Sequence, residues 1–148
     1  MKSLFVSLFT TSLLTGCQLS TDSSEALRVV VAISPAMVRG GDTALVTVRL
    51  INQSLHATTV SGSSTCRLAF DVLDNNGVRV GGIRPSVCTM DLRNLTLAPG
   101  QSDSEVFHWV AAHAPGQPLP PGSYTVVGAS LWAQGRTSAP QPFAVVAP

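Results

Sequence analysis

From residue 27 onward the chain is a succession of short apolar runs separated by turn residues. Between Thr43 and Ile51 the pattern has period two, with Ala44, Val46, Val48 and Leu50 on one face and Thr47 and Arg49 on the other. That alternation predicts a half-buried strand. Leu27–Ile33 predicts a strand before it, stopped by Ser34-Pro35, with Arg39-Gly40-Gly41-Asp42 as the turn between. Asn52-Gln53-Ser54 breaks the alternating run, and a weaker strand covers Ala57 to Ser61. Thr65–Leu73 alternates again, with Cys66, Leu68, Phe70 and Val72 on one side. Asp74-Asn75-Asn76-Gly77 predicts a hairpin, because Asn-Gly accepts the positive φ of a tight turn. Val78–Val80 returns along it, and Gly81-Gly82 and Pro85 loosen the chain before Cys88. Further strands are expected over Leu92–Leu97, Ser104–Ala111, Gly122–Trp132 and around Phe143–Val146, with His113–Pro121 as an irregular Pro/Gly-rich loop.

This amounts to about eight or nine strands, no helix, and a turn signal roughly every eight to twelve residues. The fold class expected is all-β: an antiparallel β-sandwich of immunoglobulin type over residues 27–148.

The first residues follow another logic. Lys2, the apolar run Leu4–Leu14 and the small residues Thr15 and Gly16 form a secretory signal. Leu14-Thr15-Gly16-Cys17 has the form of a bacterial lipobox. Eleven helical residues span only about 16 Å, too short for a hydrocarbon core of about 30 Å. Residues 1–16 are therefore expected to be a lipoprotein signal peptide, and Cys17 the lipidated N-terminus. Two or more acyl chains give a stable membrane anchor. The polar stretch that follows completes a flexible tether over residues 17–26. The expected location is the cell envelope, on a membrane face outside the cytoplasm. Gln18 is not the aspartate that retains many enterobacterial lipoproteins in the inner membrane, so in such an organism the outer membrane is favoured.

Removing sixteen residues from the 148 leaves enough chain for one domain with a real core. That part has eight arginines, no lysine and eight acidic residues, so it is near neutral. It lacks the basic footprint of a nucleic-acid binder, and no nucleic-acid partner is expected.

Of three cysteines, Cys17 is assigned to lipid. Cys66 and Cys88 remain, and an extracytoplasmic compartment permits a disulfide between them.

Several segments in order resemble a known family: Asn52-Gln53-Ser54; Leu68-Ala69-Phe70-Asp71-Val72-Leu73-Asp74 followed by Asn-Asn-Gly and Val78-Arg79-Val80; Leu97-Ala98-Pro99-Gly100-Gln101 with Trp109 beyond; and Leu119-Pro120-Pro121-Gly122-Ser123-Tyr124. From about residue 42 to residue 146 the chain resembles the BsuPI-type domain, named for an intracellular proteinase inhibitor of Bacillus. The resemblance implies an immunoglobulin-like sandwich. The Cys66 and Cys88 pair and the export signal depart from that family's pattern. Independently of the family, Tyr124 at a strand entrance suits a tyrosine corner, its hydroxyl bonded to backbone. Trp109 and Trp132 read as core or rim aromatics.

No catalytic residues are expected. His56, His108 and His113 are the only histidines and have no metal-like spacing, so no metal or other cofactor is implied. There is no Gly-x-Ser-x-Gly elbow and no phosphate loop. The chain is thus expected to be a non-enzymatic, membrane-anchored binding domain for a protein partner, with proteinase inhibition the reading the resemblance favours. The alternative is an accessory subunit in the structure or assembly of an envelope complex. Two candidate binding loops stand out: the stretch Gly81–Ser86 with Arg84 and Pro85, and the Pro-rich Ala114–Pro121 with Gln117 and Pro118. Proline and a disulfide would stiffen either loop and lower the entropic cost of binding.

Overall fold

A computed structural model of the chain describes residues 26–133 and 135–147. The expected signal peptide, Cys17 and most of the expected tether lie outside the described residues.

The chain forms an immunoglobulin-like β-sandwich. One sheet is β1 (Leu27–Ser34), β3 (Thr43–Asn52) and β8 (Ser102–Val110), antiparallel in the order β1-β3-β8. The facing sheet contains β2 (Met37–Arg39), β12 (Gln141–Val146), β11 (Gly122–Ser130), β5 (Leu68–Leu73) and β6 (Arg79–Ile83), in the order β2-β12-β11-β5-β6. It is antiparallel except where β2 pairs parallel with β12. Two ribbons flank the sandwich: β4 (Thr58–Gly62) with β7 (Arg93–Leu97), and β9 (Ala112–Ala114) with β10 (Gln117–Pro118).

The period-two strand behaves as its pattern requires: Ala44, Val46, Val48 and Leu50 are all buried. Across the core they meet Leu68, Phe70 and Val72 of β5 and Tyr124 and Val126 of β11 within one cluster. Phe70 is central, with ring centroids 5.3 Å from Phe107 and 6.2 Å from Trp109, and Trp109 in turn lies 6.0 Å from Phe143. Each such side chain removed from water stabilises the fold by about 1.5–3 kcal/mol. Trp109 and Trp132 are both buried.

Polar groups close the ends. The fully buried Asn52 donates through Nδ2 to the carbonyls of His56 and Leu97, both at 2.8 Å, and accepts from Ser54 through Oδ1. It thereby ties the exit of β3 to β7 and has its own buried amide paired at both ends. Tyr124 Oη donates to the Pro120 carbonyl at 2.9 Å, the expected tyrosine corner. The Asp74–Gly77 turn forms as expected, with Gly77 at φ 76° and its N–H donating to the Asp74 carbonyl.

The structure corrects several strand boundaries. The segment 113–121 is not irregular: it holds β9 and β10, and Leu119 drops into the core, so the loop is anchored from below. β6 continues through Gly81-Gly82 to Ile83. Gly82 has φ 110° against the Phe70 carbonyl, and Gly81 passes beneath Trp109, so glycine here permits the strand to continue. β5 begins only at Leu68, leaving Cys66 outside it. β11 ends at Ser130, whose Oγ accepts the Ala133 N–H and starts a turn.

Candidate functional site

The segment between β6 and β7 carries one half of a disulfide. Cys66 and Cys88 form the expected disulfide, with Cα atoms 5.6 Å apart. Next to it, Thr65 N–H donates to the Thr89 carbonyl at 3.1 Å, and Asp91 N–H donates to the Ser63 carbonyl at 3.2 Å. The Thr89 N–H and hydroxyl also reach Thr65 Oγ1, each at 3.2 Å. These two backbone bonds and the disulfide bring the bend at residues 63–65 against residues 88–91, just beyond the ribbon's last pair, Gly62↔Arg93. Met90 stands between the two bonds, opposite Ser64.

This stapled segment displays apolar side chains. Val87, Met90 and Leu92 are 92 %, 90 % and 88 % exposed. From Val87 to Leu92 the chain makes neither a turn nor a bend, so it is extended. Sequence reasoning missed these three residues. The signal available was the run of large apolar residues beside Cys88, which reads equally well as the start of a strand.

The residues expected to bind are placed differently. Arg84, just past β6, is not a free cation. Its guanidinium grips both carboxylate oxygens of Asp71 on β5, with Nε 2.8 Å from Oδ1 and Nη2 on Oδ2. Arg79 Nε adds a third bond to Asp71 Oδ1 at 2.6 Å. The Arg84 hydrogen bonds, with help from Arg79, hold the Asp71 carboxyl below the ordinary carboxylate range, and the same contact holds Arg84 more firmly protonated. The stretch Gly81–Ser86 is thus mostly strand plus an ion pair, and Pro85 beside it is half-buried. Gln117 and Pro118 are exposed but paired in β10 with Ala114 and Ala112. They lead into the start of β11, which pairs with the end of β5, whereas Arg84 follows the end of β6, beside the start of β5. Arg84 therefore stands apart from Gln117 and Pro118, but the two candidate loops meet at one shallow depression, lined by Ile83 from the first and by Ala114, Pro115 and Gly116 from the second.

His113 Nδ1 lies 3.0 Å from the Val80 carbonyl and, with His108 and Trp109, lines a shallow depression. Among the described residues no three His, Cys, Asp or Glu side chains are grouped to hold a metal ion.

No protein-family model matches the chain, and no curated protein matches it. Solved structures do. The C-terminal domain of Wzt is 8 % identical with a TM-score of 0.51, over 83 % of this chain and 75 % of that one. The sporulation control protein Spo0M from Bacillus subtilis is 12 % identical with a TM-score of 0.50, over 83 % of this chain and 50 % of that one. The alkylpurine DNA glycosylase AlkC from Pseudomonas fluorescens is 14 % identical with a TM-score of 0.49, over 82 % of this chain and 31 % of that one. This chain thus spans half of Spo0M and under a third of the glycosylase. At such identities the likeness to the Wzt domain and to Spo0M shows the fold alone.

Proposed function

We propose that this chain is an exported lipoprotein, anchored through Cys17, whose sandwich is a non-enzymatic protein-binding domain that inhibits a proteinase. One observation carries the binding reading: the disulfide-stapled segment with Val87, Met90 and Leu92 held in water. A folded domain with a complete core gains nothing in stability from three exposed large apolar side chains, and large apolar side chains clustered along one exposed segment suit a protein interface. The disulfide supports export, since such bonds persist in oxidising compartments. The resemblance to the BsuPI-type domain points toward proteinases as partners.

The test is to incubate the full chain, purified in detergent, with serine, cysteine and metalloproteases and to measure residual activity. Stoichiometric loss of one class is expected, with the chain surviving intact on the time scale of the assay. Full activity across the panel would contradict inhibition. Cross-linking on native membranes would then distinguish an accessory role in an envelope complex.

A further inference from the structure

We propose that Val87–Leu92 is a substrate-like protease-binding loop: Met90 enters the primary specificity pocket of a serine protease that selects large apolar side chains, and Met90–Asp91 is the bond presented to its nucleophile. This rests on the inhibitor reading above and names its site and target class.

Conformation is the first argument. A protease cleft takes its peptide as an extended strand added to an edge, by main-chain hydrogen bonds. The segment is already extended, and pairing with residues 63–65 keeps it so.

Direction is the second. Thr89 and Asp91 turn their bonded backbone groups inward, to Thr65 and Ser63. In an antiparallel ladder the residues between such bonds point their N–H and C=O away from the partner strand. Here Met90 is that residue. Its backbone groups face outward, where an enzyme's edge can pair with them and an oxyanion hole can receive its carbonyl.

The third argument is the side chain. Met90 is 90 % exposed and unbranched, so it can enter a narrow apolar slot and adapt to it. A chymotrypsin-type pocket is such a slot, whereas a trypsin-type pocket carries a carboxylate that Met90 would leave unpaired. Arg84 would suit that carboxylate, but it is already bound to Asp71.

Restraint on both sides of the bond explains why binding inhibits. The serine Oγ attacks the Met90 carbonyl carbon, the C–N bond to Asp91 breaks, and the Asp91 amine leaves with the proton delivered by the catalytic histidine. The acyl half stays fastened by the disulfide at Cys88, and the amine half by the bond from Asp91 to Ser63. The amine therefore remains at hand to re-attack the ester and restore the peptide bond, in competition with water. Pre-organisation of the loop also removes the ordering cost that an ordinary substrate bears.

The test uses the full chain in detergent against bovine chymotrypsin and trypsin, with two variants, Met90→Gly and Met90→Arg. Both replace an exposed side chain, and thermal midpoints equal to the wild type confirm that they fold. The wild type is expected to inhibit chymotrypsin and spare trypsin. Met90→Gly should weaken chymotrypsin inhibition by about 100-fold, the loss of a central anchor, and Met90→Arg should gain inhibition of trypsin. Chymotrypsin inhibition unchanged in both variants would overturn the site and leave the inhibitor reading standing. Inhibition of trypsin by the wild type would point to Arg84 and overturn the assignment of Met90. Inhibition of neither enzyme by any of the three chains would overturn the proposal, and the protease panel then decides the inhibitor reading separately.

Discussion

The indole of Trp132 occupies the place where a side chain at Gly62 would stand: a Cβ there would overlap Cε2, Cδ2 and Nε1 of the ring. Trp132 follows the end of β11 and Gly62 ends β4, so this contact fastens the β4–β7 ribbon to the sandwich. Gly62→Ala forces the two apart. Overpacking of this kind costs about 1–3 kcal/mol. The urea midpoint of Gly62→Ala should fall accordingly, and an unchanged midpoint would mean that the ring moves aside freely.

The disulfide acts on stability and on the loop together. Cys66 and Cys88 are 22 residues apart. Closing a loop of that length stabilises the fold by about 3 kcal/mol on the chain-entropy model. The double variant Cys66→Ser with Cys88→Ser should lose stability of that order in urea titration. It should also inhibit proteases more weakly than its loss of folded fraction explains, and be cut as an ordinary substrate.

Tyr124 makes stability depend on alkaline pH. Burial, with the Asp74 carboxylate adding, pushes its phenol above the ordinary value. As pH rises past the unfolded value of about 10, the unfolded chain loses its proton first and stability falls toward the folded pKa. Below that window the contribution is fully present. Tyr124 is the only tyrosine, and the only lysine is Lys2, so this slope should vanish in Tyr124→Phe. That variant should also lose about 1 kcal/mol at neutral pH, with the bond to Pro120. Denaturant titrations from pH 7 to 11 measure both.

The lipidation proposed at Cys17 predicts a change of compartment. Cys17→Ser should incorporate no labelled palmitate and should leave the membrane fraction for the soluble one. Membrane retention of the unlabelled variant would contradict the lipobox.

Much of the scaffold was legible in the sequence because it is written in local chemistry. The alternation in Thr43–Ile51, the Asn-Gly turn and the Pro-Gly-x-Tyr corner each depend on a few neighbouring residues. β2 escaped because it has three residues, and what holds it, the parallel partner β12 and the burial of Val38, is tertiary. β9 and β10 escaped because their Pro and Gly content reads as loop, while the burial of Leu119 that anchors them is tertiary. The site was half legible. The disulfide followed from cysteine count, whereas the exposed apolar stretch that the proposal rests on lies on the other side of Cys88 from the loop singled out in the sequence. Arg84 looked free because Asp71, thirteen residues earlier, becomes its neighbour only when β5 and β6 pair. Nothing near Met90 in sequence says that Ser63 and Thr65 will run beside it and turn it outward.

The central claim is that Met90–Asp91 is held as a slowly cleaved, resealable bond. The most direct measurement is mass spectrometry of the chain after prolonged incubation with a stoichiometric amount of chymotrypsin. The account predicts intact chain together with a single nicked form, cut after Met90 and still joined through Cys66–Cys88, while the enzyme remains inhibited. Cleavage at other sites first, or rapid complete digestion with recovery of activity, would contradict it.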